Sequence, residues 1–384
     1  MTFEFATAGR ILFGEGILDQ IGTYATELGS RVLVVGGGTP ARIEPLLTRL
    51  ADQRLPVSTC SVVGEPTVTS ALEGTEQARG FGADLVIGVG GGSAIDAAKA
   101  IAALLTNPGD PFDHLEVIGR GRPLVNPAAP LIAIPTTAGT GAEVTRNAVL
   151  TAPEQGVKVS LRHRSMLPEV ALVDPVLTYP MPPAVTASTG LDALTQCLEP
   201  FVSHLATPLT DGFCREGMRR AARSLRRAFH AGSDVEARRD MALTSLCGGL
   251  ALANAKLGAV HGFAGPIGGL FNAPHGAVCA RLLPFVMETN VRALQARDPE
   301  APALARYREV AAILTGDAAA EVADGVAWIQ ALSDALAVPG LADYGMTRSH
   351  VAPIVDKAIP SSSMQGNPIT LTEAELTDVL IRAL

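Results

Sequence analysis

The sequence has few of the residues that characterise a nucleic-acid or carbohydrate surface. Aromatic residues make up 4% of the 384 residues, with one tryptophan and four tyrosines, which disfavours a platform of aromatic rings that stacks on bases or sugars. Basic residues number 30 against 38 acids, and the formal net charge is −8. Nucleic acid and anionic membranes require a concentrated cationic face. We therefore expect neither of them as a partner.

Disulfide and export signals are also missing from the sequence. The five cysteines are widely scattered and form no Cys-x-x-Cys pair, which fits reduced thiols in a cytoplasmic protein. The first residues include Glu4 and no basic region that leads into an apolar one, unlike a signal peptide. The longest uncharged stretch, residues 257–280, contains two prolines, two histidines and six glycines, which predicts a buried turn and helix rather than a membrane span.

The chain is too long to fold around a single hydrophobic core of usual size. Its pattern of apolar and polar residues changes near residue 183. Before that point short β-branched runs alternate with helical periodicity, which predicts a parallel sheet covered by helices. After it, helical periodicity rich in alanine, leucine and arginine continues to the end. We expect a dinucleotide-binding α/β domain over residues 1–183 and an all-α domain over residues 184–384. The predicted strands are 31–35, 57–62, 85–89, 131–134 and 170–173.

A glycine turn follows the predicted strand 85–89. The turn, Gly90-Gly91-Gly92-Ser93, opens a predicted helix. Glycines there let backbone N–H groups and the helix N-terminus approach a pyrophosphate. The pattern differs from the Gly-x-Gly-x-x-Gly fingerprint with its later acid, and a tight strand-to-helix turn without a ligand is the alternative.

A second loop, residues 135–145, follows the next predicted strand and carries four threonines. Hydroxyl groups beside flexible backbone suit phosphate and ribose contacts. A threonine-capped turn explains the same residues.

Two further pairs of polar residues lie in the helical half of the chain. Asp192 and Gln196 are four residues apart on a predicted helix, so their side chains emerge on one face. His261 and His275 flank a connection rich in glycine and proline, a spacing that allows both to fold back to one point.

Together these segments resemble the iron-containing (group III) alcohol dehydrogenases, and the resemblance covers nearly the whole chain. It implies that the protein moves hydride between a nicotinamide cofactor and a small alcohol or its aldehyde or ketone. It also implies a bound metal as Lewis acid and a homodimer or larger assembly. The landmarks, in order, are FGEG at 13–16, GGGSAIDAAK at 90–99, PTTAGTGAEVT at 135–145, ALVDPVLT at 171–178, TGLDALT at 189–195, VHGFAGPIGGLFNAPHG at 260–276 and Asn367-Pro368.

The resemblance also implies a set of cofactor residues. It places the pyrophosphate at the glycine turn, a row of threonines along the cofactor, and Lys158 at the nicotinamide-side ribose; a surface lysine in solvent is the alternative for Lys158. The implied residues are Gly37, Gly91, Gly92, Ser93, Asp96, Thr136, Thr137, Thr140, Thr145 and Lys158.

Cofactor choice depends on the end of the first predicted strand. Relatives that prefer NAD often carry an acid near the position of Gly37, which binds the ribose diol and repels a 2′-phosphate. This sequence has glycines there, with Arg42 nearby. We expect NADP(H) to be preferred over NAD(H).

The resemblance implies metal ligands at Asp192, Gln196, His261 and His275, and the sequence departs from the family at one of them. Gln196 stands where the family has histidine, and a neutral amide oxygen is a weaker, harder donor than imidazole. The alternatives are a three-ligand site for iron, zinc or another divalent ion, or an empty site in which Gln196 is a buried amide. A second departure is Gly265, where many members have a histidine near the nicotinamide.

Three other functions remain open at the level of sequence. Reductases of the maleylacetate type resemble this family, and the absence of histidine at Gln196 and Gly265 is compatible with that function. Cyclases similar to dehydroquinate synthase need several cations, yet Lys256 is the only Lys or Arg in residues 241–280. A catalytically impaired nucleotide-binding homologue is the third.

Overall fold

The computed structural model describes residues 2–271 and 273–384, which form two compact units. The first unit contains residues 6–137 and 141–178. The second contains the segment up to Phe5, residues 138–140 and residues 179–384.

A six-stranded parallel sheet forms the centre of the first unit, with strand order β1-β8-β5-β4-β2-β3. Two further strands, β6 and β7, form a separate antiparallel hairpin. The helices of this unit are α1 (Ile21–Leu28), α2 (Glu44–Asp52), α3 (Val68–Phe81) and α4 (Gly92–Thr106). The strands are β1 (Arg10–Phe13), β2 (Val32–Gly37), β3 (Val57–Val62), β4 (Leu85–Gly90), β5 (Leu131–Pro135), β6 (Asn147–Ala152), β7 (Val157–Arg162) and β8 (Val170–Val173).

Small residues let helix α4 lie close to strand β4. A Cβ atom at Gly88 would lie 2.7 Å from the Cβ of Ala98, so a larger residue at position 88 would push the helix away. The strand itself is buried on both faces, as expected of a central parallel strand. This packing fixes the helix N-terminus just beyond the carboxyl end of β4.

The sheet changes direction between β2 and β4. From β2 the chain moves outward to β3, and it then returns to place β4 on the other side of β2. The connections that leave β2 and β4 therefore diverge, and ligands of open α/β sheets bind in the crevice at such a switch point.

The second unit is helical, and residues 184–271 and 273–384 contain no strand. Its core includes the buried side chains of Phe201, Leu225, Phe263 and Leu283. The helices are α5 (Pro183–Val202), α6 (Pro208–His230), α7 (Val235–Ala255), α8 (Ala259–Phe271), α9 (His275–Arg297), α10 (Pro302–Thr315), α11 (Val322–Ala335), α12 (Val351–Ala358) and α13 (Glu373–Ala383).

The predicted fold class, a parallel-sheet α/β region followed by an all-α region, is confirmed. All five predicted strands belong to the sheet, while β1 and the β6–β7 hairpin were not predicted. Among the described residues, no single helix has the length and apolar character of a membrane span, although the α7–α8 pair, bent by 102°, meets both criteria jointly.

Candidate functional site

The glycine turn lies at the switch point of the sheet. Gly90 has φ of +153°, and a Cβ atom there would lie 2.7 Å from that of Ala94, so this position requires glycine. Gly91 follows as the N-cap of α4 and provides no side-chain cap. The N–H groups of the first helical turn, at Gly92 and Ser93, lack partners within the helix, which makes this end of α4 suited to a phosphate.

The ends of the two neighbouring strands meet this turn. The Thr136 N–H donates to the Gly90 carbonyl over 2.8 Å, and a Cβ at Gly91 would lie 3.5 Å from the Thr137 hydroxyl oxygen. Gly37 ends β2, and its backbone nitrogen is 3.6 Å from the position that a Cβ would take at Gly90. The structure thus brings together six of the sequence-predicted cofactor residues: Gly37, Gly91, Gly92, Ser93, Thr136 and Thr137.

Asp96 and Thr145 also make contacts within the protein. Asp96 accepts a hydrogen bond from the Val149 N–H (3.1 Å), and Lys99 donates to the Thr145 hydroxyl (2.7 Å) and the Asn147 carbonyl (3.0 Å). The Asp96 carboxylate lies 3.8 Å from the Lys99 ammonium. These bonds attach α4 to the first strand of the hairpin, so both residues support the helix that carries the glycine turn.

Burial shifts the ionisation of this group of charges. It raises the pKa of Asp96 to about 6 against the attraction of Lys99, and it lowers the pKa of Lys99 to about 8. Glu143, also fully buried, has a pKa raised by burial to about 7. Burial therefore disfavours the charged form of each of these groups, and the attraction between Asp96 and Lys99 offsets part of that cost.

Lys158 lies close enough to Asp96 for its positive charge to lower the pKa of that carboxyl. Lys158 lies on β7 with its ammonium 3.2 Å from the Glu65 carboxylate, and its side chain is only 12% exposed, unlike a lysine in free solvent. Thr140 is half-buried and belongs to the helical unit.

Three helices of the second unit bring metal-ligating groups to one point. Asp192 and Gln196 lie one turn apart on α5, His261 is on α8, and His275 is the first residue of α9. Asp192, His261, His275 and Cys279 each place one ligand atom within 4.8 Å of the other three. The Asp192 Oδ1 lies 3.2 Å from the His261 Nε2 and 3.8 Å from the His275 Nε2.

A close helix contact makes this convergence possible. A Cβ atom at Gly276 would lie 2.2 Å from the backbone oxygen of Ser188, a distance that no side chain tolerates. Glycine at this position therefore lets the first turn of α9 approach α5. His275 remains partly open, with 35% of its side chain exposed, whereas the side chains of Asp192 and His261 are only 3% and 4% exposed.

Glu199 sets the orientation of the His261 ring. Its Oε2 lies 2.7 Å from the His261 Nδ1, and its Oε1 accepts the Val260 N–H, also at 2.7 Å. With the ring hydrogen on Nδ1 and donated to a carboxylate, the Nε2 lone pair faces Asp192. Carboxylates in this position orient metal-ligating histidines in many proteins.

The arrangement fits a divalent metal ion. Within the described residues, the Asp192 Oδ1 and the Gln196 Oε1 are buried without a hydrogen-bond partner, and unsatisfied buried oxygens are costly. Burial alone lowers the pKa of His261, but Cys279, Asp192 and Glu199 outweigh burial and raise it well above its usual value. Without a metal, this raised pKa places a proton between the His261 Nε2 and the Asp192 Oδ1. A divalent ion that binds there takes the place of that proton.

Gln196 and Gly265, the two departures from the family, have distinct surroundings. The Gln196 amide donates from Nε2 to the Asp192 Oδ2 over 2.9 Å. A Cβ at Gly265 would have no atom within 4 Å, so the space for a side chain exists there.

Sequence reasoning missed Glu199 and Cys279. Both carried a signal in helical spacing: Glu199 follows Asp192 by seven residues on α5, and Cys279 follows His275 by four on α9, so each shares a face with a candidate ligand.

The chain was compared with known families and proteins. A profile of the family described as iron-containing alcohol dehydrogenase matches residues 8–175, and one of the Fe-containing alcohol dehydrogenase family C-terminal region matches residues 186–384. A 1,3-propanediol dehydrogenase of Klebsiella pneumoniae is 32% identical over 99% of this chain and 98% of its own. Long-chain-alcohol dehydrogenase 1 of Geobacillus thermodenitrificans is 42% identical over 73% of each chain. The crystal structure of a 1,3-propanediol oxidoreductase superposes with a TM-score of 0.93, at 31% identity and full coverage of both chains.

Proposed function

Because the chain belongs to the iron-containing alcohol dehydrogenase family and is an NAD(P)-dependent oxidoreductase that interconverts alcohols with aldehydes or ketones, we propose that it acts on a small alcohol at a divalent metal held by Asp192, His261 and His275. A cytoplasmic homodimer is part of the proposal, on the grounds of sequence alone. The metal-independent reductase is not favoured, since Asp192, His261 and His275 retain three of the four ligand positions that the family resemblance implies.

One observation carries this proposal. The His261 Nε2 faces the Asp192 Oδ1 at 3.2 Å, while its Nδ1 is bound to Glu199. Two donor atoms so close together in a buried pocket require a cation between them, and a divalent ion that displaces the proton of His261 meets this requirement. Donors of imidazole nitrogen and carboxylate oxygen suit Fe²⁺ and Zn²⁺, the two ions that we propose.

When bound, the metal supplies Lewis acidity to the substrate oxygen. The chain's own residues prepare that chemistry. Glu199 keeps the hydrogen on the His261 Nδ1, so that Nε2 stays available as a donor, and Gln196 holds the second oxygen of Asp192. Gly91, Gly92 and Ser93 offer backbone N–H groups to the cofactor pyrophosphate, which fixes the cofactor in position for hydride transfer.

We propose NADP(H) as the preferred cofactor. No acid occurs between Gly36 and Arg42, Gly37 has no atom within 4 Å of a Cβ position, and Arg42 is exposed. A 2′-phosphate therefore meets no negative charge at the end of β2 and has a cation within the same segment. Comparing kcat/KM for NADPH and NADH tests this point, and a tenfold preference for NADH would refute it.

The activity is tested by elemental analysis of the purified protein before and after chelation, paired with NADPH oxidation on a panel of short aldehydes. We expect about one divalent metal ion per chain, loss of turnover on chelation, and recovery when Fe²⁺ or Zn²⁺ is restored. Metal-free protein that still turns over aldehydes would contradict the metal site.

A further inference from the structure

We propose that Cys279 is a protein ligand of the metal and that it occupies the coordination position that Gln196 does not fill. The proposal rests on the metal site proposed above and adds a sulfur donor to it. The result is a site of one carboxylate oxygen, two imidazole nitrogens and one thiolate.

The geometry of the four atoms matches one tetrahedral centre. The Cys279 Sγ lies 3.8 Å from the His261 Nε2, and the Asp192 Oδ1 lies 3.2 Å from the same nitrogen. Metal bonds of about 2.0–2.3 Å in a tetrahedral site place the ligand atoms roughly 3.3–3.6 Å apart. These two separations lie close to that range, and all four ligand atoms lie within 4.8 Å of one another, so a modest contraction would bring them around one ion.

The position of Cys279 on its helix explains how it reaches the site. It follows His275 by one turn of α9, and its residue is fully buried. The close contact of Gly276 with α5 brings both side chains of this face toward Asp192. A single helix thus presents two donors, as α5 presents Asp192 and Gln196.

Gln196 has a different task. Its amide nitrogen is committed to the Asp192 Oδ2, which orients the carboxylate so that Oδ1 faces the two histidines. An amide that holds a ligand in this way acts as a positioning residue. The thiol is also the softer donor, which suits Zn²⁺ and Fe²⁺ better than an amide oxygen does.

Other buried cysteines show what a purely structural thiol looks like in this chain. Cys197 and Cys247 lie against Gly217 on the packed faces of α5 and α7, and the Cys197 thiol donates to the Thr244 carbonyl over 3.6 Å. Neither belongs to a group of ligand atoms among the described residues. Cys279 instead faces a carboxylate and two imidazoles, so burial alone does not account for it.

Binding through sulfur requires the thiolate, so each metal ion that binds displaces one thiol proton to solvent. The charge of the site then consists of Asp192 and the thiolate against the divalent ion. That balance favours retention of Zn²⁺ over Mg²⁺ and Mn²⁺, which prefer oxygen donors.

The test uses the full-length protein loaded with Co²⁺ in place of its own metal. We expect visible d–d absorption of a tetrahedral cobalt site together with a near-ultraviolet sulfur-to-cobalt charge-transfer band. X-ray absorption of the Zn²⁺ form is expected to show one sulfur at about 2.3 Å beside nitrogen and oxygen at about 2.0–2.2 Å. Both measurements use the unaltered chain, so they do not depend on how a variant folds.

Variants then assign the sulfur. In Cys279→Ser the charge-transfer band is lost, the d–d bands remain, and the dissociation constant for Zn²⁺ rises at least tenfold. Cys247→Ser, a buried thiol of the same unit, is the matched control and keeps the band.

Two results distinguish this inference from the proposed function. Tetrahedral d–d bands without a charge-transfer band in the unaltered protein would overturn the role of Cys279 and leave the metal site intact. No cobalt binding at all would overturn both.

Discussion

Glu199 illustrates how a single residue outside the ligand set controls it. Its carboxylate fixes the His261 ring through a 2.7 Å hydrogen bond. Replacing such a partner weakens metal binding by about 10–100-fold in known metal sites. We expect Glu199→Gln to raise the Zn²⁺ dissociation constant by that factor in a chelator competition titration.

The control for Glu199→Gln is Glu288→Gln. Glu288 lies on α9 and pairs with Arg382 at the surface. It is expected to leave the Zn²⁺ dissociation constant unchanged. Equal dissociation constants for both variants would mean that Glu199 does not act through His261.

Glu143 is expected to make the stability of the nucleotide-binding unit depend on pH. Burial raises its pKa from an ordinary 4.5 to about 7, so the folded state binds this proton more tightly than the unfolded state does. The stability that the protonated carboxyl contributes is complete below pH 4.5 and is lost as the pH rises through 7.

Glu143→Gln removes this titration. The difference in the free energy of unfolding between Glu143→Gln and the unaltered protein is therefore expected to grow, in favour of the variant, between pH 4.5 and 7 and to level off above it. Urea unfolding at a series of pH values measures the difference. A flat difference over that range would show that the carboxyl ionises normally in the folded state.

Individual residues also show what the sequence could and could not predict of the site. The glycines at 90–92 and the pair Asp192 and His261 follow from motif spacing, and the structure brings each to the expected group. Asp96 and Thr145 belong to the same motifs, and the motif does not reveal their bonds to Val149 and Lys99. Membership of a motif does not tell whether a residue contacts the cofactor or supports the surrounding protein, because residues of both kinds occur in the same loop.

At the scale of elements, the contact between α9 and α5 decides whether the metal site forms. Gly276→Ala introduces a Cβ that would lie 2.2 Å from the Ser188 carbonyl oxygen, which forces α9 away from α5. Overpacking of this kind costs about 1–3 kcal/mol. We expect a lower urea midpoint and substoichiometric metal.

Gly265→Ala is the matched control for that contact. It is also a glycine inside a helix, but its Cβ meets no atom within 4 Å, and alanine is favoured over glycine in helices by about 1 kcal/mol. Its urea midpoint and metal content are expected to be equal to or higher than those of the unaltered protein. A similar loss in both variants would remove the helix contact as the cause.

The elements that sequence reasoning found and missed differ in physical character. Strands β2, β4, β5 and β8 are apolar runs, the pattern of a buried parallel strand. Strand β3, at the edge of the sheet, is recognised by its valine and threonine residues instead. Strand β1 has four residues, begins with an arginine and owes its place to pairing with β8, which local sequence does not encode. The β6–β7 hairpin does alternate buried and half-buried residues, so its period of two was a usable signal.

For the whole molecule, the two ligand systems lie in separate units. The glycine turn of β4 and α4 belongs to the first, and all four residues proposed to bind the metal belong to the second. Hydrogen exchange is therefore expected to slow in residues 85–106 when NADPH is added and in residues 186–200 and 259–280 when Zn²⁺ is added. At ligand concentrations of 100 times Kd, the exchange rate is expected to fall by at most about 100-fold.

Hydrogen exchange monitored by mass spectrometry, with each ligand added alone, measures this separation. Mg²⁺ at the same concentration serves as the control for ionic strength. Zn²⁺ that slows exchange equally throughout the chain would mean that one global opening governs both units.

The partly exposed histidine at the start of α9, His275, is expected to control how metal enters and leaves. Asp192 and His261 are closed off from solvent, so His275, the only partly open residue among the four, is the one that detaches first. It lies in the first turn of its helix, where local fraying costs less free energy than global unfolding. Metal exchange is then expected to have a rate that is independent of global unfolding. At high chelator concentration the extraction rate reaches a plateau set by the fraying of one helical turn. The enzyme thus exchanges its metal while the rest of its fold stays closed.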